Sequence, residues 1–126
     1  MREIKFRVWD KLEQRFIFPD EGYQGHYILD LNGRFHNLQN GSGGDECVVE
    51  QYTGLKDKNG KEIYEGDIVK YHINNPDINW IELVAWEQNG WVLLCFDGTE
   101  SGSTPIGFIP SMEIIGNISE NKELLK

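Results

Sequence analysis

Apolar and polar residues alternate with a period of two in several short runs. Over residues 3–9, Ile4, Phe6 and Val8 fall on one face and Lys5 and Arg7 on the other. Tyr27, Leu29 and Leu31 alternate with His26 and Asp30, and Val69, Tyr71 and Ile73 alternate with Lys70 and His72. Successive side chains of a strand point to opposite faces, so this period predicts half-buried strands. Residues 80–86 and 91–96 are nearly continuous apolar runs, which suit strands covered on both sides or a barrel strand with an interface outside. Asn32-Gly33, Asn40-Gly41, Asn59-Gly60, Asn89-Gly90 and Asp97-Gly98 punctuate the chain. Such pairs tolerate the positive φ that tight hairpin turns demand. The pattern predicts a mainly β protein with strands at 3–9, 26–31, 34–38, 47–53, 67–73, 80–86 and 91–96.

No long stretch carries a helical stripe. Short helical turns are predicted at 111–115, after Pro110, and at 119–125, with Ser119 as the cap. Gly41-Ser42-Gly43-Gly44 and residues 101–104 read as loops of small residues.

With 126 residues, the chain suits one domain or two very small ones, and 39% hydrophobic content is enough for a core. Twenty-one acidic against 12 basic side chains give a net charge of −9. The asymmetry along the chain sharpens this. After Lys70 the next cation is Lys122, while Asp77, Glu82, Glu87, Asp97, Glu100, Glu113 and Glu120 lie between them. An acidic surface of this kind disfavours nucleic acid and anionic membranes, and it attracts a basic partner or mimics nucleic acid. No apolar run is long enough to span a membrane, and Met1-Arg2-Glu3-Ile4-Lys5 lacks the apolar stretch of a signal peptide. The two cysteines, Cys47 and Cys95, make no disulfide framework and fit a reducing cytoplasm.

Candidate chemistry is sparse. His26, His36 and His72 share no ligand spacing with the cysteines, so no metal site is expected. Cys95 sits in an apolar run and Cys47 follows Asp45-Glu46, and both settings disfavour a thiolate. Glu65 and Asp67 read as an exposed turn rather than an acid–base pair. No phosphate-binding loop is present, because Gly41-Ser42-Gly43-Gly44 lacks the spacing and the Lys. No catalytic residue, cofactor or metal is assigned, and an enzyme is not expected. Trp80, Trp86 and Trp91 cluster around one hairpin without cations to track phosphates, which favours core and interface over base stacking. With Ile81, Leu83 and Ala85 inside, Trp80, Val84, Trp86 and Trp91 become the candidate interface.

Residues 52–69 carry one longer motif, Tyr-Thr-Gly-Leu-Lys-Asp-Lys-Asn-Gly-Lys-Glu-Ile-Tyr-Glu-Gly-Asp-Ile-Val. Its physics is turn chemistry. Asn59-Gly60 tips a polar hairpin, and Tyr64-Glu65-Gly66-Asp67 turns tightly into the next strand. The string resembles the signature of the YopX family, as do Arg2-Glu3-Ile4-Lys5-Phe6-Arg7-Val8-Trp9-Asp10 at the start and Glu113-Ile114-Ile115-Gly116-Asn117-Ile118 near the end. The resembling positions in the motif are Tyr52, Gly54, Asp57, Asn59, Gly60, Tyr64, Gly66 and Asp67. Lys122 stands where the family more usually has Pro. The resemblance implies a phage- or prophage-derived bacterial protein of uncharacterised function, in the cytoplasm of the host. It implies one YopX-like domain over 1–126, divisible into a β part at 1–54 and an SH3-like small barrel at 55–126, and it implies self-association.

Together these features describe a non-enzymatic accessory module that forms homo-oligomers and binds a host or phage protein. The alternative is a small β-barrel that binds or mimics nucleic acid, with Arg2, Lys5, Arg7, Lys11 and Arg15 as its only basic stripe.

Overall fold

The structure is a computed structural model that describes residues 4–18, 27–29, 35–37, 47–87, 90–95 and 103–121, with 27–29 and 35–37 described by their backbone. The chain forms two compact units, Met1–Tyr52 and Thr53–Lys126.

In the first unit, β1 (Phe6–Asp10) is central and antiparallel to both β2 (Arg15–Ile17) and the start of β5 (Cys47–Lys56). The β1–β2 turn has no Asn-Gly signal. The Asp10 side chain builds it instead, with Oδ1 accepting from the N–H groups of Leu12 and Glu13 at 2.9 and 3.1 Å. Gln14 takes the positive φ of 55°. Val8 and Ile17 form a small core with Cys47 and Val49 against it. Arg7 is buried as well, contrary to the expected polar face. Its Nε donates to Glu50 Oε1 at 2.9 Å, and its guanidinium lies 4.3 Å from the centre of the Phe16 ring. A short hairpin, β3 (Tyr27–Leu29) with β4 (Phe35–Asn37), places Ile28 opposite His36.

In the second unit, β5 continues beyond Tyr52 with β6 (Glu62–Tyr64) as its neighbour. A meander follows through β7 (Asp67–Tyr71), β8 (Trp80–Glu87), β9 (Gly90–Cys95) and β10 (Ser103–Pro105). A 3-10 helix at Ile106–Phe108 then leads into β11 (Glu113–Asn117), which returns antiparallel to β7. The strand order β10-β9-β8-β7-β11 is that of an SH3-like half-barrel, so the protein is mainly β as its periodicity predicts. Its core joins Ile63, Val69, Tyr71, Val84, Leu93, Ile106, Ile109 and Met112, with Trp91 and Ile114 packed alongside. Complete burial of a side chain such as Leu93 contributes about 1.5–3 kcal/mol.

Two expectations are corrected. The helical turn expected at 111–115 is replaced by β11, because pairing with β7 overrides a weak local signal. At the other turn the organising residue is Asn117, not Ser119. The Asn117 Oδ1 accepts from the N–H groups of Ser119 and Glu120 at 3.0 and 2.8 Å. Residues 122–125 lie outside the described residues, as do Asn32-Gly33, Asn40-Gly41, Asn89, Asp97-Gly98, His26 and the 41–44 loop.

Candidate functional site

The motif at 52–69 folds into a braced hairpin. Thr53 Oγ1 donates to the carbonyl of Ile63 at 2.8 Å and accepts from the N–H of Leu55 at 3.1 Å. Asp57 is the hub of the tip. Its Oδ1 accepts from the N–H groups of Asn59 and Lys61, both at 2.9 Å, and its Oδ2 accepts from the N–H of Ile114 at 3.1 Å. Burial works to raise the Asp57 pKa, but the three N–H donors and the Lys61 charge outweigh it, so the carboxyl titrates below the ordinary aspartate value. Gly60 has φ 83°, which the tip of the hairpin requires.

The second turn of the motif is equally committed to the fold. Buried Asp67 accepts from the N–H of Tyr64 at 2.8 Å. Gly66, at φ 88°, donates its N–H to the carbonyl of Val84 and accepts from the N–H of Ile118. Tyr52 lies under the Lys5 ammonium in the first unit, and Gly54 has φ 89°. Of the eight motif residues, Asp57, Asn59, Gly60, Gly66 and Asp67 lie in or bind the two turns, whereas Tyr52 and Gly54 lie in β5 and Tyr64 in β6.

Beside the hairpin tip lies a cleft of about 390 Å³. Residues 55–58 and Ile63 line one side, and Ile106, Gly107 and residues 109–112 line the other. The sequence reading missed this cleft. It needs the 3-10 helix brought against the motif, and the β11 pairing, the Lys58 N–H bond to the Met112 carbonyl and the Ile114 N–H bond to Asp57 all contribute to that.

The candidate interface residues separate. Val84 is 1% exposed and belongs to the core, which corrects its expected outward position. The side of β8 carrying Val84 and buried Glu82 faces the core cluster, while on the opposite face Ile81 is 41% exposed and Leu83 is buried as expected. Register explains the position of Val84: it pairs with Leu93, and Val69 pairs with Glu82. Burial of Glu82 is compatible with this side because the Tyr71 hydroxyl donates to its carboxylate. Trp91 packs on the core and meets Trp86 edge to face, with ring centres 4.9 Å apart. Trp80 and Trp86 lie towards the two ends of β8, and both are about half exposed.

Among the described residues, no three His, Cys, Asp or Glu side chains converge as metal ligands, and no helix is long and apolar enough to cross a membrane. Cys47 is half-buried, and His72 is exposed.

The YopX protein family model matches residues 5–126. The chain belongs to the YopX family. Two solved structures resemble this YopX-family protein over nearly its whole length. The crystal structure of protein EF1440 from Enterococcus faecalis has 25% identity and a TM-score of 0.62, with 100% of each chain covered. The crystal structure of protein yopX from Bacillus subtilis has 20% identity and a TM-score of 0.67, covering 97% of this chain and 98% of that one. The second likeness speaks to the fold alone. No curated protein matches the chain.

Proposed function

We propose that this YopX-family protein is a non-enzymatic, self-associating protein-binding module that serves as a phage- or prophage-derived accessory protein in the cytoplasm of a bacterial host. The observation that carries the reading is an apolar end of the β7–β8 hairpin. Ile73, Ile78 and Trp80, around the β7–β8 turn, are 49%, 54% and 47% exposed. Large apolar side chains grouped at one exposed hairpin end are characteristic of an association surface. Trp is also among the residues that most often dominate binding energy. A second copy of the chain supplies a matching surface, since a two-fold interface brings the same patch together from both sides. The net charge of −9 opposes this approach, and dissolved salt weakens that opposition.

Nucleic acid is the weaker reading. Arg7, in the middle of the one basic stripe, is buried against Glu50 and Phe16. The second unit carries twice as many acidic as basic side chains, 12 against 6. Phosphate contacts sufficient for tight binding need a concentration of exposed cations, against which a net charge of −9 works.

The location of the surface is tested by comparing the wild type with an Ile78→Ser/Trp80→Ser variant in light scattering. The reading expects a wild type heavier than one chain and a folded variant of one-chain mass. A folded variant that keeps the wild-type mass would place the association elsewhere.

A further inference from the structure

The cleft beside the motif combines two properties that differ from the rest of its unit. Its lining is mixed: Ile63, Ile106, Ile109 and Met112 belong to the core and border it on the inside, beside the polar residues of the hairpin tip. Leu55, which lines the cleft, is 43% exposed. Isolated apolar residues on a surface need no explanation, but a hollow with apolar residues inside, an exposed large side chain at its edge and charged groups beside it is a docking geometry.

The charge at this place runs against the rest of the unit. Residues 53–126 hold six Lys and no Arg, and three of them, Lys56, Lys58 and Lys61, fall within the hairpin tip of the motif. Lys56 and Lys58 line the cleft. The Lys58 ammonium is 3.8 Å from Glu113, a long pair whose Lys side chain is half exposed. Such an exposed pair is worth little and yields to a competing carboxylate. The acidic residue between the two lysines does not cancel them in the same way. Both oxygens of Asp57 are turned into the fold, onto the N–H groups of Asn59, Lys61 and Ile114.

We propose that this cleft binds a short acidic segment of a partner protein, with an apolar side chain on the apolar part of the lining and flanking carboxylates against Lys56 and Lys58. A bare inorganic anion pairs with the lysines alone and gains nothing from the apolar part of the lining. A long polyanion such as nucleic acid meets the acidic remainder of the unit, whereas a short segment senses only the local lysines within a screening length. A volume of about 390 Å³ accommodates one or two side chains rather than a folded domain. This site is independent of the β7–β8 association surface, so a strictly monomeric protein would still bind the segment.

The test uses the full chain and a fluorescein-labelled peptide, Glu-Asp-Phe-Glu-Asp-Leu, with Lys-Lys-Phe-Lys-Lys-Leu as its charge-reversed control. Fluorescence anisotropy reports affinity, and backbone amide shifts locate the contact. Two variants separate charge from shape. Lys56→Glu/Lys58→Glu reverses the charge at the cleft, and Gly107→Trp adds bulk to one of its lining residues, at a position where an added Cβ meets nothing within 4 Å. The expected result is binding of the acidic peptide alone, with shifts at 55–58 and 106–112. Affinity should fall about tenfold or more in the charge-reversed variant and be lost in folded Gly107→Trp. Absence of binding to the wild type would overturn the proposal. So would equal affinity for the control peptide, shifts confined to other residues, or unchanged affinity in both folded variants.

Discussion

The Asp57 carboxylate accepts a hydrogen bond from the backbone N–H of Ile114 at 3.1 Å, although the two residues stand 57 positions apart. One side chain thus closes the tip of the motif hairpin and pins the start of β11, the strand that completes the five-stranded sheet. The Lys58 N–H bond to the Met112 carbonyl, at 2.9 Å, lies directly beside it. The most distinctive segment of the sequence is in this way the clamp on the last strand of the fold.

Replacing Asp57 by Asn keeps one acceptor oxygen and sets an amide N–H₂ against N–H donors on the other side. At least one part-buried donor then loses its partner, at a cost of about 0.5–1.5 kcal/mol. Chemical denaturation of Asp57→Asn should show that loss with an unchanged m-value. A variant as stable as the wild type would remove Asp57 from the role of clamp.

The same carboxylate sets a pH dependence. Its folded pKa is depressed below the ordinary aspartate value, so in the window between the two the unfolded chain binds more protons than the folded one. Stability from this group is complete above the ordinary aspartate value and is lost as the pH falls through the depressed folded value. Thermal melts across the acid range should therefore show a wild-type decline that is shallower in Asp57→Asn. Parallel declines in the two proteins would contradict the assignment.

In the first unit, Arg7 is buried between Glu50 and the Phe16 ring. Glu50→Ala removes a charge-assisted hydrogen bond from a guanidinium held away from water, and the expected cost is about 1.5–3 kcal/mol. Denaturation measures it directly. A loss of only a few tenths would mean that Arg7 is held by its other contacts.

The strands were largely legible where the sequence states its period openly. The expected strands at 67–73 and 80–86 correspond to Asp67–Tyr71 and Trp80–Glu87, and that at 91–96 to Gly90–Cys95. What escaped depends on partners distant in the chain. Glu113–Asn117 carries a short apolar run that either helix or strand accommodates, and β7 decides the matter. β2 follows a turn without Gly, held by the Asp10 side chain. Along β8 the expectation fails at Val84 and holds at Leu83, because Glu82 reads as a solvent-facing residue. Its hydrogen bond to Tyr71 permits it to be buried beside Val84. The cleft could not be read at all, since its two sides come from segments about fifty positions apart with no shared motif.

Core and surface roles along β8 and β9 are separable by substitution. Leu93 is fully buried, and Leu93→Ala should cost about 2–5 kcal/mol through the cavity it leaves. Ile78→Ser and Trp80→Ser, at half-exposed positions, should leave the unfolding midpoint extrapolated to low concentration nearly unchanged. Calorimetry compares the three. Large losses in both surface variants would make the hairpin end part of the core.

Self-association is tested most directly by the solution mass of the wild type across a dilution series, measured by sedimentation equilibrium. The chain mass is 14.6 kDa. The account predicts a mass near twice that value at tens of micromolar, falling towards the chain mass on dilution and rising again with added salt as the like charges are screened. A mass of 14.6 kDa at every concentration and salt level would contradict it.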